Sequence, residues 1–200
     1  MVRNKFTGVF GNRGFSLLEL LIAVFITGIV AASAFHFYVT MNQQVITQQE
    51  ISDMQQMSRA TLQEISRTVR LAGYMVPSYE PFEINGDSLT VCYSFFDTLD
   101  QPGYVTYFLQ EYDAGDYAKI LDRPDDMTLY KLFKQTNANT PEVFAELVTS
   151  IQYIPIGSDS SGMAITLEVQ VSKGDQTFSD NDGFRTFSNT ERVTMRNVGI

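Results

Sequence analysis

The chain has 200 residues, a formal net charge of -9 and 44% hydrophobic residues. From Phe15 onward it holds 11 basic and 23 acidic residues, a poor match for nucleic acid, whose binding needs clustered Lys and Arg. One cysteine, Cys92, excludes an intrachain disulfide, and one histidine, His36, leaves no set of ligands for a zinc site and little for a Cys–His or Ser–His pair, so neither a cofactor nor a catalytic role is expected.

The first 14 residues hold Arg3, Lys5 and Arg13 and no acid. An apolar run follows, densest from Phe15 to Val39, and from Leu20 to Gln49 there is no Asp, Glu, Lys or Arg. Its length suffices for a bilayer core, which a helix crosses in ~20 residues. The basic flank predicts that the N-terminus stays cytoplasmic. His36 and Tyr38 then fall at the far interface, where rings with a polar tip are favoured. An ordinary secretory signal is the alternative: Ala32-Ser33-Ala34 fits the small-x-small cleavage pattern, and a cut there would release a β-rich binding module starting at Phe35. Glu19 opposes it, because an acid in the most apolar stretch costs several kcal/mol.

The run "RGFSLLELLIAV", residues 13–24, resembles the processing site of type IV pilins and pseudopilins, the class III signal sequences. The resemblance implies that prepilin peptidase removes residues 1–14 by cutting between Gly14 and Phe15. It further implies that Phe15 is N-methylated and that Glu19 takes the place of the family's assembly glutamate. On a helix, residues four apart share a face, so a terminal amine and the Glu19 carboxylate can neutralise one another between neighbouring chains. A buried carboxylate without a partner is costly, which would drive the subunit to find one. The implied partners are the peptidase, other minor and major pilins, and an inner-membrane assembly platform.

The helix is predicted to continue past the membrane, since no proline occurs before Pro77. Ile51, Met54, Ser58, Leu62, Ile65, Val69 and Ala72 recur in steps of three and four, making one apolar or small-residue stripe. Gly73 is placed to end the helix in the left-handed conformation. A single helix from Phe15 to Ala72 would measure about 87 Å at ~1.5 Å per residue, too long for one small domain to bury. Gly28, Ala31, Ala32 and Ala34 form a small-residue face suited to close helix contacts, or reflect ordinary membrane-helix composition. The expected organisation is a leader (1–14), a membrane and assembly helix (15–39), its amphipathic continuation (40–73) and a β-rich domain (74–200).

Beyond Gly73 the apolar period becomes two. "SLTVCYSF" (88–95) puts Leu89, Val91, Tyr93 and Phe95 on one face and Cys92 on the other. Asn85-Gly86-Asp87 reads as a tight turn, with Phe82 to Ile84 as a short pairing strand. Further strands are predicted over 104–112, 127–133, 146–156, 163–171 and 190–198, with their order left open. Asp180, Asn181 and Asp182 ahead of Gly183 share part of a calcium-loop pattern but lack its distal Glu, so they are read as a polar turn. Asp122, Asp125 and Asp126 around Pro124 are read the same way.

The fold class expected is α+β and type IV pilin-like: a long N-terminal helix packed on a C-terminal antiparallel sheet. "RLAGY" (70–74) and "VTMRN" (193–197) resemble PilW-type minor pilins and also pseudopilin J of type II secretion. Major pilins often close their C-terminal region with a disulfide, which Cys92 alone cannot form. The resemblance therefore implies a minor pilin that primes a type IV pilus or sits at its tip, with a minor pseudopilin as the alternative.

Overall fold

The computed structural model describes residues 16–94, 101–118, 120, 127–157, 161–171 and 183–196. Helix α1 runs unbroken over Leu17–Arg70. The chain divides into two units, Met1–Ile46 and Thr47–Ile200, and the second contains the last turns of α1 together with the sheet. The expected α+β arrangement holds: these turns pack on an antiparallel sheet.

The stripe behaves as its spacing predicts. Met54, Ser58, Leu62, Ile65, Val69 and Ala72 are buried and Ile51 is half-buried. Past Arg70 the amides of Leu71 and Ala72 bond three residues back, to Thr68 and Val69, which tightens the final turn. Gly73 then adopts φ +75°, a conformation that costs a residue with a Cβ ~1–2 kcal/mol. Its amide leaves the helix altogether and donates to the Cys92 carbonyl at 2.8 Å.

Seven strands follow: β1 Phe82–Asn85, β2 Ser88–Tyr93, β3 Gly103–Glu111, β4 Tyr130–Thr136, β5 Glu142–Ile156, β6 Gly162–Gln170 and β7 Thr186–Thr194. Each pairs antiparallel with its chain neighbours, giving the order β1-β2-β3-β4-β5-β6-β7. Gly86 (φ +60°) and Asp87 make the β1–β2 turn. Alternation buries Leu89 and Val91 on β2, Val105 and Tyr107 on β3, and Met163, Ile165, Leu167 and Val169 on β6, in one cluster with the helix stripe. Each such aliphatic side chain contributes roughly 1.5–3 kcal/mol by leaving water.

The sheet curls around the end of α1. Gly73 bonds β2 through Cys92, while the amide of Arg196, just past β7, reaches the Arg70 carbonyl at 3.4 Å. In a flat sheet β2 and β7 would lie about 24 Å apart, five spacings of ~4.8 Å. Strand twist brings them to the same few residues. Polar contacts tie helix to sheet: Thr68 Oγ1 donates to the Glu64 carbonyl (3.1 Å), so the Tyr107 hydroxyl donates to Thr68 (2.9 Å). Lys134 pairs with Glu64 at 3.0 Å and Arg70 with Glu191 at 3.9 Å. With partly exposed partners such pairs add only about 0–1 kcal/mol, so burial decides the packing.

Three strands differ from the sequence reading by three residues or more at a boundary. The strand expected over 127–133 is Tyr130–Thr136, because the Leu129 backbone bonds outside the β4 ladder, its amide to the Tyr117 hydroxyl at 2.9 Å and its carbonyl to the Tyr112 amide at 3.0 Å. The strand expected over 146–156 begins at Glu142, and irregular pairing along it shifts the inward residues to Ala145, Val148, Ile151 and Tyr153. The strand expected over 190–198 is Thr186–Thr194, since β6 supplies partners for all nine of its residues. A short helix, α2 (Ala114–Tyr117), capped by the Asp113 carboxylate on the Asp116 amide, was not foreseen.

Candidate membrane and assembly segment

Every residue from Ser16 to Ile46 is exposed, although the stretch is apolar. Leu17 is 83% exposed, Phe25 67% and Phe35 69%. An unbroken apolar surface of this kind needs lipid or other chains to cover it. The helix is long and apolar enough to cross a membrane by length and composition. In its apolar stretch Thr27, Ser33 and Thr40 each donate to the carbonyl four residues back, at 2.7, 2.9 and 3.0 Å. That removes the cost of placing them in hydrocarbon. A Cβ added to Gly28 would meet nothing within 4 Å, so the chain's own packing does not demand a glycine there.

Glu19 lies in the first turn. Its carboxylate accepts the Ser16 amide at 3.0 Å, while the Ser16 hydroxyl accepts the Glu19 amide at 3.1 Å. This is a reciprocal capping box, which satisfies two amides that the start of a helix leaves without partners. An acid here also meets the positive end of the helix dipole. Reading Glu19 alone missed Ser16; the Ser-x-x-Glu spacing of residues 16–19 was the available signal.

Gly14 and Phe15 lie outside the described residues, as do Asp180 and Asp182 and the Asp122, Asp125 and Asp126 group. Among the described residues no group of three or more His, Cys, Asp or Glu could hold a metal ion. Cys92 is buried on β2, and burial pushes its thiol pKa up against the opposing effect of a hydrogen bond with Tyr104, the reverse of what a reactive thiolate requires.

An exposed apolar helix with one carboxylate in its first turn, continuous with a helix that packs on a sheet, fits a membrane-anchored or helix-bundling protein by length and composition. Residues 10–35 match the family model described as the prokaryotic N-terminal methylation motif. The match includes Gly14, Phe15, Glu19 and the first turns of α1. It supports a type IV pilin-like or pseudopilin protein anchored in a membrane through that helix. No curated protein and no solved structure matches the chain.

Proposed function

We propose that this protein is a minor pilin of a bacterial type IV pilus that primes assembly or sits in the tip complex. The observation that carries the reading is the methylation motif over 10–35, with Glu19 held at the start of an exposed apolar helix. Prepilin peptidase would cut after Gly14 and methylate Phe15, leaving a charged amine one helical turn before Glu19. In the membrane the subunit waits with its carboxylate capped by Ser16. The terminal amine of a neighbouring subunit offers that carboxylate a full counter-charge, which offsets the cost of burying it and sets the axial register between subunits. The inner-membrane platform and the other minor and major pilins are the partners in this scheme. The resemblance of 70–74 and 193–197 to PilW-type minor pilins supports the choice within the class.

A minor pseudopilin of type II secretion would use the same physics in another machine, and the methylation motif supports it equally. Genes beside this one distinguish the two machines. Release as a periplasmic module after Ala34 has less support, because α1 runs through that position without a break.

N-terminal mass spectrometry of the mature protein from its host tests the reading. A methylated Phe15 terminus is expected. A terminus at Phe35 would remove both the assembly role of Glu19 and the filament reading.

A further inference from the structure

The exposed face of α1 within the Thr47–Ile200 unit has its own electrostatic character. Arg59, Arg67 and Arg70 lie on one exposed row of the helix, spaced eight and three residues apart. Helical geometry places these residues within about 80° of one another. Among the described residues Arg59 and Arg67 form no ion pair, and Arg70 has only the 3.9 Å contact with Glu191. Arg67 and Arg70, in the last turn, also complement the helix dipole, but Arg59 lies too far from the helix end for that to explain it. Ala60, between Gln56 and Gln63, leaves an open recess beside Arg59.

The chain that follows has the opposite charge. From Leu71 to Ala118 there are eight Asp or Glu and no Lys or Arg. Three of the acids, Glu80, Glu83 and Asp87, are exposed along the β1 edge of the sheet. The β1 edge is therefore acidic and the helix row basic, on different parts of the same unit.

We infer that the arginine row of α1 docks on the Glu80, Glu83 and Asp87 edge of a second copy of this chain. Two different patches in contact make a heterologous, head-to-tail interface, the kind that propagates into an open helical assembly when its rotation does not close. Arginine suits this task because its planar fork makes paired hydrogen bonds to a carboxylate and sheds water more readily than lysine. Electrostatic complementarity of this kind steers encounter and sets register, and it weakens as salt rises. The inference is independent of how the N-terminus is processed.

Compensating charge reversal in the full-length, membrane-inserted protein tests it. A photo-crosslinking residue at Gln63 should capture a second copy, with the crosslinked peptide mapping to residues 79–94. Arg59→Glu with Arg67→Glu should reduce capture roughly tenfold, and Glu80→Arg with Glu83→Arg should do the same. Co-expressing the two double variants, each carrying its own affinity tag, should restore capture between differently tagged chains. Capture of a different protein, or of a second copy through peptides outside 79–94, would overturn the inference. So would failure of the paired reversals to restore capture while both variants retain wild-type protease resistance. A mature terminus at Phe15 with no self-capture would remove this interface and leave the pilin reading standing. Self-capture with a terminus at Phe35 would do the opposite.

Discussion

The amide of Leu147 donates to the hydroxyl of Tyr112 at 3.0 Å, where β5 departs from regular pairing. Leu147 holds φ +56°, uncommon for a residue with a Cβ, and lies between the inward-facing Ala145 and Val148. An irregularity in a strand leaves an amide without its ladder partner, and here a side chain from the end of β3 supplies one. Tyr112 is itself held by the tilted ring of Tyr117 at 5.6 Å and by the Lys131 ammonium 5.3 Å above its ring. Asp116 in turn holds Lys131 at 2.6 Å. Tyr112→Phe keeps the ring and removes the acceptor, so the sheet unit should lose about 1–2 kcal/mol. Denaturant titration of the detergent-solubilised chain measures it; an unchanged midpoint would mean that the Leu147 amide finds another acceptor.

The helix stripe makes a sharper demand. Leu62 and Ile65 are fully buried between α1 and the sheet. Leu62→Ala should cost ~2–5 kcal/mol, from lost burial and the cavity left behind. Gln63→Ala, one position along on the exposed face, should stay within about 0.5 kcal/mol. Thermal melts of the two variants side by side check the assignment of faces.

Gly73→Ala tests the helix exit. The added Cβ at φ +75° should destabilise the unit by ~1–2 kcal/mol. The amide bond to Cys92 depends on that conformation, so hydrogen exchange at residue 73 should speed up by more than the global loss accounts for. Equal acceleration across all amides would assign the effect to global stability alone.

Burial raises the pKa of the Tyr107 and Tyr153 phenols above the ordinary tyrosine value. The folded state therefore holds these protons more tightly than the unfolded chain, which loses them near pH ~10. This contribution is complete below that pH and declines as pH rises through it toward the higher folded values. The Asp116 hydrogen bond raises Lys131 likewise, and its contribution declines in the same direction. Unfolding midpoints should fall between about pH 9.5 and 11.5, and Tyr107→Phe should flatten the decline while losing about 1 kcal/mol at neutral pH with its Thr68 bond. A midpoint constant across that window would contradict the buried placement of both rings.

Glu19 carries two separable roles, the cap seen in the structure and the proposed pairing with a neighbour's amine. Glu19→Ala should leave cleavage after Gly14 intact and block incorporation into filaments. Glu19→Gln keeps a side-chain oxygen for the Ser16 amide and loses the charge. If Glu19→Gln assembles like the unmodified chain, capping is the important role and amine pairing is wrong. Ser16→Ala should cost the first turn about 0.5–2 kcal/mol without blocking assembly.

Much of this molecule was legible along the chain because its signals are local. A period of 3.6 wrote the stripe from Ile51 to Ala72, and all of it is buried or half-buried on the sheet. A lone carboxylate in an uncharged run marked Glu19, Gly73 marked the left-handed helix exit, and Gly86 marked a tight turn. Strand limits were less legible, because pairing with a neighbour sets them. Thr186 to Asn189 carry little strand signal of their own, yet β6 offers partners as far as Gln170, and the ladder extends to meet them. The irregularity at Leu147 depends on Tyr112, which lies 35 residues earlier, and no local pattern encodes it.

The sequence by itself determined the apolar anchor, the amphipathic continuation and the alternation of the strands, since each follows from side-chain periodicity against one backbone geometry. Only the tertiary structure decided the sheet order, the curl that brings β2 and β7 to the end of α1, and the Leu147 irregularity. Those depend on hydrogen bonds between residues far apart in the chain, whose partners exist only once the sheet has curled around the end of the helix.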